Sequence, residues 1–437
     1  MTPDFFNTIL NKLKGDKEIV LKLLKTLVTR GASAAGTLLF NIVLARIMGS
    51  EEYGLFIIAN TIIIGLGLFC QFGSPQAILR FCSIMYKKKK FGQFMKLKRE
   101  VTFLSFSMSI LFAILLCFNT NIVSEIFFSG INVGFLICCF AASLPIYTFL
   151  GVQSAFFKAL FKPEIAPFFE VGLIAMLTAS LVYVLSLFNP TVTSSDGACA
   201  FLISCFLVFT LGNFILNKII KKETQNKIYN YEKFNGFYQS ISSYWVSSIS
   251  SYLLKFSPIL ILGLYCTSQD VAYYSIANYS AFLIHFVLLI VNSVYAPYFA
   301  NLFNDNNLVE LNKALKKSTI YMLAIAIPIF AIILFFPKLI ISIFDPNYSG
   351  STLPLIILAI AQLITVATGP VLFLMNMIGK ERVLMKIILL TSSLSVLLGF
   401  LLIPGYSYTG AAIATSIGLV CQHTIALYIS KKHIRIN

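Results

Sequence analysis

The residue best placed for chemistry inside a membrane is Lys255, near the centre of an apolar stretch that runs from Tyr244 to Leu264. The stretch is long enough to cross a bilayer, because about 20 helical residues span a hydrocarbon core of roughly 30 Å. A lysine at that depth costs about 2.5–3.5 kcal/mol on insertion scales and usually faces a wet cavity or an ion partner. Snorkelling to the headgroups is the alternative, which the distance to both ends disfavours. Lys255 is therefore predicted to be a cation that lines a cavity.

Two arginines lie near the ends of the first apolar stretch, residues 26–48. Arg30 lies at its cytoplasmic end, beside a run of small residues (31–36) that lets neighbouring helices approach closely. It is a candidate second cation of the cavity, with a place among the headgroups as the alternative. Arg46 lies at the outer end beside Glu51 and Glu52. It is a further candidate for substrate binding, although interfacial anchoring or ion pairing is favoured there.

Two residues inside apolar stretches are candidates for proton exchange. Glu170 lies in the apolar stretch 165–188, and His285 lies near the centre of the apolar stretch 272–296. A histidine titrates in a usable range when its surroundings shift it moderately. A neutral histidine bonded between helices, and a glutamate that neutralises an arginine, are the alternatives. Coupling to H⁺ or Na⁺ therefore stays open, and no other cofactor is predicted.

The composition is that of a polytopic membrane protein. Of 437 residues, 58% are hydrophobic and only 11% are charged, against about 25% charged in soluble domains. Residues 1–25 lack the pattern of a cleaved signal peptide and alternate apolar residues with lysines at helical spacing, which predicts an amphipathic segment on the cytoplasmic membrane surface. Twelve transmembrane helices are predicted. They run near 26–48, 53–75, 101–119, 131–153, 165–188, 196–217, 240–265, 272–296, 318–343, 352–378, 384–404 and 409–430.

The basic residues are distributed unequally between alternate connections. Thirty of the 33 Lys and Arg residues fall in the two termini and in every second connection. This bias predicts that both termini are cytoplasmic. The net charge of +16 is therefore loop charge that sets orientation, and nucleic acid is not an expected partner.

An internal repeat divides the chain into two similar halves. Three matches recur at a spacing of 213 to 218 residues and favour two six-helix bundles related as a parallel repeat, with the substrate site between them. They pair 51–60 with 269–278, Lys162 with Lys380, and 189–200 with 403–414. The predicted organisation is an all-α membrane protein with an N-terminal segment (1–25), a first bundle (26–217), a cytoplasmic linker (218–239), a second bundle (240–430) and a cytoplasmic tail (431–437).

Several site types have no support in the sequence. The nine cysteines form no CxxC or Cys/His pattern, so free thiols are expected rather than disulfides or a metal site. No phosphate-binding G-x-x-x-x-G-K-[ST] loop exists to drive transport with ATP. No set of paired acids on a long loop indicates catalysis, so no catalytic residue is predicted.

Three short motifs resemble the polysaccharide exporter branch of the multidrug/oligosaccharidyl-lipid/polysaccharide exporter superfamily. The first follows the pattern L-A-R-x-x-G, then Y-G-x-F. It comprises Leu44, Ala45, Arg46, Gly49, Tyr53, Gly54 and Phe56. The others are Asn376 with Gly379 and Lys380, and the run from Gly410 to Thr415. Within that branch the chain most resembles the O-antigen or repeat-unit flippases (Wzx-type).

The resemblance implies a fold, a cargo and partners. The fold is that of multidrug exporters of the superfamily, with two six-helix bundles in the bacterial cytoplasmic (inner) membrane. The cargo is an undecaprenyl-pyrophosphate-linked oligosaccharide of the lipopolysaccharide type, moved to the outer leaflet by alternating access. The partners are the bilayer and, as candidates, the polymerase and chain-length regulator of the same pathway. Candidate glycan contacts are Asn60, Tyr244, Trp245 and Asn278.

The chemistry of the residues agrees with an anionic cargo. An ionised group cannot cross hydrocarbon without a hydrated cationic path, and Lys255 and Arg30 outnumber the single acid Glu170. Two alternatives stay open. One is a cation-coupled multidrug antiporter of the same superfamily, which normally needs buried carboxylates. The other is a membrane-embedded glycan polymerase or transferase.

Overall fold

The computed structural model describes residues 17–162, 164–224, 237–304, 307–377 and 379–434. These residues form helices and no strands. Most of the predicted N-terminal segment (1–16), the centre of the predicted linker (225–236) and the last three residues of the tail lie outside the described part of the chain. Around that centre, helices extend to Thr224 and begin again at Phe237.

Fourteen α-helices are described, numbered here in chain order, together with one π-helix (Phe168–Gly172) and one 3₁₀ helix (Pro346–Ser351). They are α1 (Lys17–Cys70), α2 (Ser74–Lys87), α3 (Phe91–Phe118), α4 (Thr120–Phe127), α5 (Gly134–Ala159), α6 (Leu173–Phe188), α7 (Ser194–Thr224), α8 (Phe237–Tyr265), α9 (Ser268–Asn304), α10 (Leu308–Phe335), α11 (Pro337–Ser342), α12 (Thr352–Ala367), α13 (Val371–Met377) and α14 (Glu381–Ile434).

The predicted all-α membrane fold is confirmed. Within the described residues, ten helices are long and apolar enough to cross a membrane, and two of them have apolar segments of 43 and 52 residues. Each of these two contains a break, at Gly49 in α1 (φ 75°) and at Ser407 in α14 (φ 46°). Both breaks lie between spans predicted separately. The total of twelve spans stays a prediction.

Two segments differ from the sequence prediction. The basic connection between the predicted spans 53–75 and 101–119 is largely helical, because α2 extends to Lys87 and α3 begins at Phe91. The predicted span 352–378 is interrupted after Ala367, since Gly369 adopts a left-handed φ of 79° and Pro370 cannot donate to the preceding turn. Proline inside α5, α8 and α10 is accommodated without a break.

We name the two ends of the helix bundle by their connections. The basic end carries Lys88–Lys90, Lys162 and Lys380, and the acidic end carries Glu52 and Asp270. Most packed helix pairs lie within residues 17–224 or within 237–434, and α1 supplies the main link between these halves through α8 and α9. The division into two six-helix bundles stays a prediction.

The two halves are tied together at the acidic end. Arg46 Nε donates hydrogen bonds to the carbonyl oxygens of Ile343 (2.7 Å) and Phe344 (3.1 Å), just after α11. Tyr348 Oη donates to the carbonyl of Ala45 at 3.0 Å. These contacts join the turn of α1 to the segment after α11 and close the acidic end.

The halves also touch backbone to backbone along one seam. A Cβ at Gly54 would lie 1.8 Å from the carbonyl oxygen of Ser268, and one at Gly73 would lie 2.4 Å from the backbone nitrogen of Trp245. Neither position accepts a side chain without movement of the backbone. Between them, Tyr252 Oη donates to the carbonyl of Thr61 at 2.8 Å.

The contact of Arg46 leads to a testable expectation. Hydrogen bonds from a charged donor contribute about 1.5–3 kcal/mol, so Arg46→Ala should raise opening of the acidic end about 10- to 100-fold. Amide hydrogen exchange of residues 343–351 should accelerate accordingly. Lys338→Ala removes an exposed charge from the same end without breaking this contact and should leave exchange unchanged. Equal exchange in the wild type and Arg46→Ala would show that the contact does not hold the end closed.

Candidate functional site

A cavity of about 240 Å³ opens between the two halves near the basic end. Ligand pockets usually start at about 300 Å³, so this one is small for a complete glycolipid headgroup. Three elements form its wall: α1, the segment that leads into α6, and α9. The lining residues are Arg30, Ser33, Ala34, Thr37, Pro167, Glu170, Val171, Phe282, Phe286, Leu289 and Ile290.

The helical period explains which side chains reach the cavity. On α1 the lining positions follow the spacing i, i+3, i+4 and i+7 from Arg30, and on α9 they follow i, i+4, i+7 and i+8 from Phe282. One face of each helix is therefore presented to the space between the halves. The first half contributes polar and charged groups, while α9 contributes an apolar, partly aromatic wall.

Glu170 enters the cavity from the π-helix. Such turns widen a helix locally and are frequent at functional sites. Its Oε1 forms an ion pair with Lys158 Nζ at the end of α5 and accepts a hydrogen bond from Ser154 Oγ at 3.0 Å. The sequence suggested, as an alternative role, that Glu170 neutralises an arginine. That was wrong about the residue type, because the cation that pairs with this carboxylate is a lysine. With Arg30 in the wall, this part of the site carries one net positive charge.

Lys255 lies at mid-depth on α8 with an exposed side chain, although the helix around it is densely surrounded by protein. A residue that is embedded yet exposed lines an internal cleft rather than the outer surface of the protein. Because α8 runs from the basic to the acidic end, its side chains lean toward the basic end. Among the described residues, Lys255 forms no ion pair with a carboxylate.

A second polar cluster lies beside Lys255 in the second half. His285 is close enough for the charges of Lys255 and His423 to act on its imidazole, and it is within hydrogen-bonding reach of Gln362. Its Nδ1 has no partner among the described residues. His423 Nδ1 lies 3.1 Å from Thr368 Oγ1, at the break that ends α12.

His423 corrects one sequence inference. Glu170 and His285 were expected to be the two ionisable groups within the spans able to exchange protons, but His423 is buried in α14. The sequence carried a signal for it, since position 423 falls inside the span predicted at 409–430. Its link to Thr368 could not be read from the sequence, because the two residues come together only in the folded bundle.

The other candidate residues lie outside the cavity. Trp245 Nε1 donates to the carbonyl of Phe69 at 3.2 Å, and Tyr244 Oη accepts from Arg80 Nη1 at 3.2 Å, so both belong to the seam at the basic end. Arg46 lies in the contact at the acidic end. Their roles in binding substrate stay predictions.

The two asparagines differ from each other. Asn60 is buried and its Oδ1 has no hydrogen-bond partner among the described residues, whereas Asn278 is half-buried. Arg30 and Glu170 line the same cavity, and Lys255 and His285 are within electrostatic range of each other. Among the described residues, no hydrogen bond or ion pair joins the remaining five candidate residues to either pair.

Comparison with solved structures identifies the fold. The chain is similar to an inward-facing multidrug resistance MATE family transporter of the MOP superfamily, with a TM-score of 0.72 and 13% sequence identity over 94% of this chain and 98% of that one. It is also similar to the lipid II flippase MurJ in an inward closed conformation, with a TM-score of 0.71 and 17% identity over 94% of this chain and 87% of that one. At these identities the likeness shows the fold, which is the fold that the resemblance implied.

A curated relative is an uncharacterised membrane protein of Methanocaldococcus jannaschii, 23% identical over 269 residues. The match covers 60% of this chain and 52% of the relative, so the chain spans about half the length of the relative that it matches. Residues 43–345 match the family described as polysaccharide biosynthesis protein. This region includes the motif from Leu44 to Phe56 and the candidate residues Glu170, Lys255 and His285. The chain belongs to the polysaccharide biosynthesis protein family.

Proposed function

We propose that the protein is a flippase that moves undecaprenyl-pyrophosphate-linked oligosaccharide repeat units from the inner to the outer leaflet of the bacterial cytoplasmic membrane. The observation that carries the proposal is Lys255, an exposed cation at mid-depth that no carboxylate neutralises among the described residues. An ammonium in that position is costly. An anionic cargo that passes it offsets this cost.

The positions of the charges support a path for an anion. Arg30 lies in the cavity near the basic end, and Lys255 lies deeper, on the opposite half. A pyrophosphate that moves inward along the seam meets one cation from each half in turn. Multiply charged cargo needs such groups because it loses hydration inside the bilayer.

The shape of the molecule supports alternating access. The acidic end is closed by Arg46 and Tyr348, while the cavity lies toward the basic end. If the basic end is cytoplasmic, as the charge bias predicts, this is the state that accepts cargo from the inner leaflet. Outward movement of an anion then releases about 2.3 kcal/mol per charge for each 100 mV of inside-negative potential.

The alternatives are weaker on the same observations. A cation-coupled multidrug antiporter needs an available carboxylate, but Glu170 is already paired with Lys158. A polymerase or transferase is disfavoured because the structural relatives named above are transporters, so we propose that the chain is not an enzyme. Ion coupling through His285, and pairing with a polymerase or chain-length regulator, remain parts of the proposal. Coupling through Glu170 is not required, because this carboxylate is paired with Lys158 and the membrane potential already drives an anion outward.

The role of Lys255 can be tested in proteoliposomes that contain undecaprenyl-pyrophosphate-linked oligosaccharides. Lys255→Ala should lower the initial rate of transfer between leaflets at least about tenfold, since an interaction with a charged group is worth about 1.5–3 kcal/mol. Lys255→Arg should retain most of the rate, and Lys338→Ala, at the acidic end, should match the wild type. Full activity of a correctly folded Lys255→Ala variant would remove the basis of the flippase proposal.

Removal of the charge of Glu170 distinguishes the proposed flippase function from the antiporter alternative. Glu170→Gln should leave glycolipid transfer within about threefold of wild type, because the cargo is not expected to need the carboxylate. The double variant Lys158→Met/Glu170→Gln removes both partners and avoids an unpaired charge in the helix interior. This double variant should also keep glycolipid transfer within about threefold of wild type. Loss of cationic drug efflux on Glu170→Gln, with no effect of Lys255→Ala, would instead establish the antiporter.

A further inference from the structure

Two cysteines from different helices are in contact near the acidic end. Cys139 lies on α5 and Cys199 on α7, and their Sγ atoms are 3.6 Å apart. Each is the sixth residue of its helix, counted from Gly134 and from Ser194. At a rise of 1.5 Å per residue, both lie about 8 Å inside the start of their helices. The pair therefore lies at a single depth, close to the end of the bundle that the charge bias predicts to face outward.

The contact belongs to a longer seam between the two helices. The rings of Phe149 and Phe209 pack edge to face with centroids 5.0 Å apart, and Gln153 Nε2 donates to Asn213 Oδ1 at 3.3 Å. In each of these pairs, as in the pair of cysteines, the second residue lies 60 positions after the first. The helices α5 and α7 therefore run parallel in constant register over about four turns, and this packing fixes the depth at which the two thiols meet.

The two thiols differ in their exposure. Cys139 is 9% exposed, whereas Cys199 is half-buried. An oxidant that reaches the acidic end therefore meets Cys199 first, with Cys139 directly beside it. Cys205, on the same helix as Cys199, is fully buried and has no hydrogen bond to another thiol among the described residues.

The separation of the two sulfurs is that of a non-bonded contact. A disulfide has an S–S length of about 2.05 Å, so the sulfurs must approach each other by about 1.5 Å to form one. Because the helices are already packed at this depth, the approach requires movement of two short side chains. The cysteines form no CxxC motif, so free thiols were expected, and the pair is evident only in the folded helices.

We propose that Cys139 and Cys199 form a reversible disulfide when a disulfide-bearing oxidant reaches the acidic end. The Cys199 thiolate attacks one sulfur of the oxidant, R–S–S–R, and releases one R–S⁻. The Cys139 thiolate then attacks the Cys199 sulfur of this mixed disulfide, which forms the Cys139–Cys199 bond and releases the second R–S⁻. The two protons of the cysteines go to the leaving groups, so the two thiols are oxidised while the oxidant is reduced to two R–SH.

The position of the bond defines what it stabilises. Both cysteines belong to the first half, so the bond ties α5 to α7 and leaves the second half free to move against the first. It closes a loop of about 60 residues, which restricts the unfolded chain and stabilises the folded first half. Disulfides persist in oxidising spaces outside the cytoplasm. The proposal does not depend on the identity of the cargo.

The test maps cysteine linkages in the full-length protein in nanodiscs after treatment with oxidised glutathione, with free thiols alkylated before proteolysis and mass spectrometry. The wild type should yield a peptide that links Cys139 to Cys199, and dithiothreitol should abolish it. Cys139→Ser should instead retain glutathione on Cys199, because the second thiol is missing. Cys205→Ser, the same substitution on the same helix as Cys199, should form the link as fully as the wild type.

Three results would overturn the proposal. The first is the absence of the linked peptide from the oxidised wild type, an arm that does not depend on the folding of any variant. The second is a link that joins Cys199 to another cysteine, such as Cys138. The third is an equal amount of glutathione on Cys199 in the wild type and in Cys139→Ser, which would show that Cys139 does not attack the mixed disulfide.

Discussion

The constraint on which this structure depends is the absence of water in the bilayer core. Backbone N–H and C=O groups must be paired within the protein there, so the described residues form long helices and no strands. Polar side chains are then restricted to the spaces between helices. Arg30, Glu170, Lys255 and His285 lie in such spaces, and the functional chemistry of the chain is concentrated where its two halves meet or within the second half.

The charged groups within and beside the spans are accommodated in different ways. Arg46 donates to backbone carbonyls in the other half, and Lys158 pairs with Glu170. Lys255 has neither kind of partner among the described residues and keeps an exposed side chain. The first two contacts stabilise the packing of helices. Lys255 makes no such contact in the described part of the chain, and this contrast is the basis on which we propose that Lys255, unlike the other two cations, meets a cargo.

Local features of the structure were predictable from the sequence. Gly49 and the segment around Ser407 interrupt apolar runs, so the breaks inside α1 and α14 fall between predicted spans. Lys255 was identified as a candidate because inserting a lysine near the middle of an apolar span is energetically costly. Two contacts could not be predicted: that of Arg46 with Ile343 and Phe344, 297 and 298 positions further along the chain, and that of Glu170 with Lys158. Hydropathy and charge patterns do not say which helices become neighbours.

The two glycine contacts along the seam also limit how the halves can move. Gly54 in α1 rests on Ser268 at the acidic end, and Gly73, just before α2, rests on Trp245 at the basic end. Main chain meets main chain at both places, so the rotation of a side chain cannot relieve either contact. Any movement of one half against the other at these points must therefore displace whole backbone segments.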